Sequence, residues 1–133
     1  MLELALNAEL SSLTTMADAI EAYAAEHAVP QDKMMDLILA LDEVVTNVIS
    51  HGGLTARDTI AVTIDLGDDA ISAVVEDHGS AFDPLHDAPP HATGSLEERP
   101  LGGLGLHVVR TIMKELSYQR VDGRNLLLMR LPL

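Results

Sequence analysis

Apolar residues recur at two different spacings and divide the first half of the chain into a strand and two helices. They alternate with other residues over 2–6, which predicts a short opening strand. Over 11–27 they return at helical spacing in an alanine-rich stretch, and Pro30 is expected to end this first helix. A second helix is predicted from 31 to about 49. The glycines at 52 and 53 would stop it, because glycine accepts the left-handed backbone of a helix end.

The second half is predicted to contain four strands and one helix around a long irregular segment. Strands of period two are expected at 59–66, 70–76, 116–121 and 125–131. A polar turn joins the first pair, Asp122-Gly123 turns the second pair, and the helix runs from about 103 to about 115. This order predicts an α+β fold in a single domain over 1–133. Its form would be a two-layer sandwich, with three helices on one face of a mostly antiparallel five-stranded sheet.

The irregular segment at 79–100 has no sustained period and contains four prolines and two glycines. A loop of this length inside a compact domain is more often a lid or a binding loop than a plain connection. We therefore expect a lid over about 80–101.

Composition excludes several classes of function. The chain has 133 residues, of which 47% are hydrophobic, and a formal net charge of −13. This acidity disfavours binding to nucleic acid or to an anionic membrane, since both need a basic protein face. The absence of cysteine excludes disulfides, zinc–thiolate sites and thiol nucleophiles. No signal peptide and no apolar run of about 20 residues is visible, so we expect a soluble, cytoplasmic domain.

The charge is unevenly distributed along the chain. Residues 1–98 carry a balance of −17, whereas residues 99–133 carry +4 from six bases and two acids. An asymmetry of this size indicates where an anion could dock, although a solvated basic tail would give the same pattern.

Glu43 and Asn47 are the first candidates for chemistry. Their spacing of four places both side chains on one face of the second predicted helix. An amide oxygen is a hard neutral ligand for Mg²⁺, and a carboxylate can accept the proton of an attacking hydroxyl in phosphoryl transfer. The alternative is that both side chains are simply solvated on the wet face of an amphipathic helix.

Two further groups of candidate residues follow along the chain. Asp77 ends a predicted strand, where a carboxylate can accept a hydrogen bond from a purine amino group. Gly79 would let the backbone approach a planar ring, although both residues also suit an ordinary turn. Gly102-Gly103-Leu104-Gly105 leads into a helix whose N-terminus suits phosphate, but flexible hinge glycines would look the same. It is neither a P-loop nor a dinucleotide fingerprint.

The order of these groups resembles the GHKL ATPase superfamily, which includes gyrase and histidine kinases. That order is a helical Glu-x-x-x-Asn, a strand ending in Asp-x-Gly, a variable lid, and Gly-Gly-x-Gly opening a helix. Within the superfamily, the compact length and the strings 41–47, 76–84 and 96–106 look like the anti-sigma-factor serine/threonine kinases.

The resemblance implies an ATP- and Mg²⁺-dependent protein serine/threonine kinase. Asn47 would hold Mg²⁺ against the phosphates, Glu43 would be the general base, and Asp77 would receive the adenine amino group. The implied nucleotide-binding set is completed by Gly79, Phe82, Arg99, Gly102, Gly103, Leu104, Gly105 and Leu106. The implied partners are an anti-anti-sigma protein of the STAS type, which accepts the phosphate, and a sigma factor. The kinase would be a homodimer with no direct contact to nucleic acid or membrane.

The chain departs from the family pattern at two places. Ser80-Ala81 stands where many relatives have a second glycine, and Arg124-Asn125 occupies the region of a threonine that many members carry. Two other functions stay open: a nucleotide-sensing module that sequesters partners without phosphate transfer, and the ATP domain of a histidine kinase. Glu43 favours the kinase over the sensing module, because binding alone needs no base. No helical hairpin with a phospho-accepting histidine is visible, which disfavours the histidine kinase.

Overall fold

The computed structural model describes residues 1–83 and 109–133. In chain order its elements are β1 (Leu2–Asn7), α1 (Ser12–Glu26), α2 (Gln31–His51), β2 (Thr59–Leu66), β3 (Ala70–Asp77), β4 (Glu115–Val121) and β5 (Arg124–Pro132). A third helical segment covers 109–112. The five predicted strands and the first two predicted helices are confirmed. No helix in 1–83 or 109–133 is long and apolar enough to cross a membrane.

One predicted boundary is wrong. The third helix was expected to continue to about 115, but helical structure ends at 112 and Glu115 already belongs to β4. The Lys114 amide donates to the Arg130 carbonyl at 3.0 Å, so pairing with β5 begins before the strand itself does. Sheet hydrogen bonds therefore replace the helical ones earlier than the apolar spacing indicates.

All five strands form one antiparallel sheet in the order β1-β2-β3-β5-β4. The central pair, β3 and β5, is in register from Ala70 opposite Pro132 to Asp77 opposite Asn125. The end of β3 therefore lies beside the beginning of β5. This register brings residues 77 and 125 together on the same face of the sheet.

The core lies between the two long helices and one face of the sheet. Alternate residues of the strands are buried on that face, as are the apolar stripes of α1 and α2. Among the residues that the structure describes, the largest fully buried side chains are Met16, Ile20, Leu41, Ile60, Ile64, Ile71, Leu131, Val44, Val45, Val62, Val75 and Val109. The arrangement confirms the predicted α+β sandwich with helices on one face.

Three connections depend on residues with positive φ. Ala28, at φ 56°, closes the turn after α1, so the helix ends before Pro30 is reached. Gly53, at φ 70°, follows the end of α2 and confirms the left-handed backbone expected there. Asp122 and Gly123, at φ 50° and 76°, form the predicted tight turn between β4 and β5, where both central residues need positive φ.

Candidate functional site

The end of α2 is fastened to the segment that follows Asp77. The carbonyl of Gly52 accepts two hydrogen bonds from Ser80, one from its amide at 3.1 Å and one from its hydroxyl at 3.0 Å. The rings of His51 and Phe82 also lie 5.5 Å apart between their centroids. Asn47 precedes Gly52 by about 7.5 Å along the helix axis, at 1.5 Å per residue. The helix that carries Asn47 is thus held against the strand end that carries Asp77.

Asn47 is buried, with 1% of its surface exposed. Its Nδ2 donates to Oε1 of Glu43 at 3.2 Å. No donor to the Asn47 Oδ1 is found among the residues that the structure describes. The idea that this amide is solvated on a wet helix face is therefore wrong. A buried amide oxygen without a donor costs about 1–3 kcal/mol, so this atom is suited to a cation or to a ligand N–H.

Asp77 is also buried, with 2% of its surface exposed. Its Oδ1 accepts two hydrogen bonds, from the Gly79 amide at 2.8 Å and from the Asn125 Nδ2 at 2.9 Å. Within 1–83 and 109–133, Oδ2 has no donor. Because a buried polar oxygen without a hydrogen bond is costly, Oδ2 is an acceptor that a ligand amino group can satisfy.

Gly79 has a reason for being glycine that the sequence did not reveal. A Cβ at this position would lie 2.5 Å from the Gly52 carbonyl oxygen, 2.9 Å from the Leu54 Cδ2 and 3.0 Å from the Asp77 Oδ1. The residue must therefore lack a side chain for the protein's own packing. Approach to a ligand ring, which the sequence predicts for Gly79, stays a prediction beside this packing role.

Asn125, which the sequence marks only as a departure from the family's threonine, lies at this candidate site, and only 4% of its surface is exposed. Tyr118 donates its hydroxyl to the Asn125 Oδ1, and the Arg120 Nη1 donates to the same atom at 3.1 Å. The Arg120 Nη1 also donates to the Gly79 carbonyl at 2.8 Å. A sequence signal did exist, since Asn125 occupies one of the alternate positions of β5 that face the core, and the next such position is the apolar Leu127.

Tyr118 is protonated in this arrangement. Burial raises the pKa of its hydroxyl above the usual 10.0, and the nearby Arg120 guanidinium offsets part of that rise. The hydroxyl therefore donates to Asn125 throughout the physiological pH range.

Phe82 is buried, and its amide donates to the Asn125 Oδ1 at 3.4 Å. The structure thus brings Asp77, Gly79 and Phe82 together around Asn125. The predicted lid is described only for 80–83. Arg99, Gly102, Gly103, Leu104, Gly105 and Leu106 lie outside the described residues.

Comparison with known proteins identifies the family of this chain. Residues 6–131 match the model of the histidine kinase-like ATPase domain. The chain is 35% identical to the serine/threonine-protein kinase BtrW of Bordetella bronchiseptica, over 88% of this chain and 86% of that one. It is 33% identical to the serine-protein kinase RsbW of Bacillus licheniformis, over 69% of this chain and 61% of that one. The chain therefore belongs to the histidine kinase-like ATPase domain family, in its branch of protein serine/threonine kinases.

Solved structures share the fold at low sequence identity. The RsbU and RsbW domains of a Mycobacterium tuberculosis protein align with a TM-score of 0.64 and 18% identity, covering all of this chain and 33% of that one. The SiaB–SiaC complex of Pseudomonas aeruginosa aligns with a TM-score of 0.57 and 18% identity, covering all of this chain and 90% of the matched one. Both show the same fold.

Proposed function

We propose that this chain is an ATP- and Mg²⁺-dependent serine/threonine kinase that acts as an anti-sigma regulatory factor. It would phosphorylate an anti-anti-sigma protein and bind a sigma factor. The observation that carries the proposal is the buried Asp77 carboxylate, whose Oδ1 holds two protein donors while Oδ2 has none in the described part of the chain.

This carboxylate suits an adenine base. The exocyclic amino group of adenine offers an N–H to an acceptor such as the Asp77 Oδ2. Guanine and hypoxanthine carry a carbonyl oxygen at the same ring position. That oxygen and the Asp77 carboxylate are both acceptors, so no hydrogen bond could form between them. Selection of adenine nucleotides follows from that difference.

Asn47 fits the role of a Mg²⁺ ligand. Its Oδ1 is a neutral oxygen that is buried and has no donor in 1–83 or 109–133, and its Nδ2 is fixed by Glu43. When bound, Mg²⁺ would neutralise part of the triphosphate charge, because a chain with a formal net charge of −13 offers few positive groups to do so. Neutral Asn47 would then orient the phosphates without adding repulsion.

Glu43 is the proposed general base. Its Oε1 accepts the hydrogen bond from the Asn47 Nδ2, which holds the carboxylate beside the proposed Mg²⁺ ligand. In the reaction, Glu43 takes the proton of a serine or threonine hydroxyl as that oxygen bonds to the γ-phosphorus. The bond from phosphorus to the β–γ bridging oxygen breaks, and ADP leaves.

Protein partners are supported by the comparisons and by charge. The matched relatives are named protein kinases, and one structure of the same fold is a complex with a second protein, SiaC. The negative charge of the sequence over 1–98 would attract basic segments of a sigma factor. Binding that depends on this charge should weaken with added salt, and affinity independent of salt would contradict it. We also propose a cytoplasmic homodimer.

Phosphate transfer is the direct test. The protein is incubated with Mg²⁺, ATP and candidate STAS-type partners, and the partners are examined by mass spectrometry for phosphoserine and phosphothreonine. We expect Glu43→Gln to bind ATP normally but to lose transfer, while Glu26→Gln, at the exposed end of α1, behaves as the wild type. Undiminished transfer by Glu43→Gln would remove this residue as the base. Tight ATP binding without transfer to any partner would favour a nucleotide-sensing module instead.

A further inference from the structure

We infer that Asn125 is a positioning residue: it orients the Asp77 carboxylate toward the base of the nucleotide and does not itself bind the nucleotide. The identity of the ligand rests on the proposed function. The positioning role rests on hydrogen bonds between residues of three segments, the end of β3, the residues 79–82, and the β4–β5 hairpin.

The hydrogen-bonding capacity of the Asn125 side chain is fully used by the protein. An asparagine amide has two N–H donors and two lone pairs on its oxygen. The two N–H groups go to the Asp77 Oδ1 and to the Ser80 carbonyl, each at 2.9 Å. The oxygen accepts from Tyr118 and Arg120 and, at 3.4 Å, from the Phe82 amide. A ligand contact to this side chain would therefore have to break a bond inside the protein.

The orientation of this amide is determined by its neighbours. A guanidinium and a backbone N–H can only donate, so Arg120 and the Phe82 amide require the amide oxygen on their side. The Ser80 carbonyl can only accept, so it requires the amide nitrogen. Rotating the amide by half a turn would place donors against donors and acceptors against acceptors.

This fixed orientation sets the plane of the Asp77 carboxylate, so that one of its oxygens is held by the protein and the other is left for the ligand. The Asn125 Nδ2 and the Gly79 amide both donate to Oδ1, which is thereby satisfied. Oδ2 is the oxygen that lacks a donor in the described residues, and the two bonds to the other oxygen hold the plane of the carboxylate. Asn125 thus acts on base selection through Asp77.

The test places a second carboxylate beside Asp77. The affinity for ATP with Mg²⁺ is measured by calorimetry between pH 5.5 and 8.5 for the wild type, Asn125→Asp and the matched control Asn7→Asp. The control makes the same chemical change at the exposed end of β1. Two adjacent carboxylates share one proton, so the pair loses that proton as the pH rises.

For Asn125→Asp we expect affinity about tenfold below that of the wild type at pH 8, with most of the loss recovered at pH 5.5, where the shared proton restores the bond to Asp77. At each pH, Asn7→Asp should match the wild type. As the pH rises, Asn125→Asp should also lose its preference for ATP over ITP, whose base is hypoxanthine, in parallel with its loss of ATP affinity. A pH profile of Asn125→Asp that matches those of the wild type and the control would overturn the inference.

A second measurement separates this inference from the proposed function. Urea unfolding without nucleotide should show Asn125→Asp losing stability relative to Asn7→Asp as the pH rises, because the shared proton is held by the folded state. Failure of the wild type to bind ATP refutes the proposed function, whereas this unfolding profile alone shows whether residue 125 is coupled to Asp77.

If Asn125→Asp does not fold, Tyr118→Phe replaces it in the ATP titration. That change removes one donor to the Asn125 Oδ1. We expect a twofold to fivefold loss of ATP affinity, which is the size of effect that the loss of one neutral hydrogen bond produces. Tyr23→Phe, in the helical core, is its control and should bind as the wild type does. Equal affinity of the two tyrosine variants would overturn the inference.

Discussion

Replacing Gly79 by alanine distinguishes a glycine needed for ligand approach from one needed for internal packing. The added Cβ would lie 2.5 Å from the Gly52 carbonyl oxygen and 2.9 Å from the Leu54 Cδ2. The carbonyl belongs to the backbone at the end of α2 and cannot rotate away as a flexible side chain would. The segment beginning at residue 79 must therefore move away from α2.

The cost of that movement can be worked from the bonds that it breaks. Ser80 donates two hydrogen bonds to the Gly52 carbonyl, at 3.1 and 3.0 Å, and both lengthen if the segment moves. At about 1 kcal/mol for each net hydrogen bond, the loss is about 2 kcal/mol. Overpacking alone typically costs about 1–3 kcal/mol, which agrees in size. For a domain of this length, about 2 kcal/mol lowers Tm by about 8 °C.

The assay is thermal and urea unfolding of the protein without nucleotide. Gly67→Ala is a suitable control, because the nearest described atom to its Cβ is the Ala70 carbonyl oxygen at 3.3 Å, a contact that a shift of a few tenths of an ångström in the exposed turn relieves. We expect the control to change Tm by less than about 2 °C, as surface substitutions usually do. An unchanged Tm for Gly79→Ala, with ATP affinity lost, would refute the packing argument and leave ligand approach as the reason for the glycine.

Three further predictions concern the same end of the sheet. Asp77→Asn should lower ATP affinity by about tenfold to a hundredfold in a nucleotide titration, since a charge-assisted hydrogen bond contributes about 1.5–3 kcal/mol, and normal affinity would contradict the assigned pocket. Because the pKa of Tyr118 is raised in the folded state, its contribution to stability is complete below pH 10 and is lost as the pH rises through the raised value. Tyr118→Phe should therefore show a shallower loss of stability than the wild type in urea unfolding above pH 10. The pair of Arg124 with Glu76 is partly exposed, so Arg124→Gln should cost at most about 1 kcal/mol, an effect that 1 M salt should largely abolish.

Much of the fold was predictable because its signals are local. Strand β2 was predicted at its observed bounds, since alternation of apolar and polar residues follows directly from the pleat. The spacing of Glu43 and Asn47 likewise predicted neighbouring side chains, and their hydrogen bond at 3.2 Å confirms it. The end of the third helix was missed, because pairing of Lys114 with Arg130 depends on a strand elsewhere in the chain.

The site was predictable only in part. The place of Asp77 at a strand end makes it a candidate from the sequence alone. The burial of Asn47 was not predictable, because helical spacing assigns a face and does not say what covers that face. Asn125 stands out in the sequence only as a departure from the family's threonine, and its contact with Asp77, 48 residues away, is visible only in the structure. The available signal was a polar side chain at a core-facing position of β5. The role of that side chain can be inferred only when its hydrogen-bond partners are known.

The sequence by itself determined the elements, the α+β class, the acidic charge and the family to which the chain belongs. These depend on periodicity and on motifs within short stretches of chain, where neighbouring residues set the backbone conformation. The tertiary structure decided which oxygen of Asp77 is satisfied, why Gly79 has no side chain, and that Asn125 joins them. Those facts depend on the register of β3 with β5 and on the docking of α2 against residue 80. Such contacts between distant residues arise from packing, for which one sequence carries no local signal.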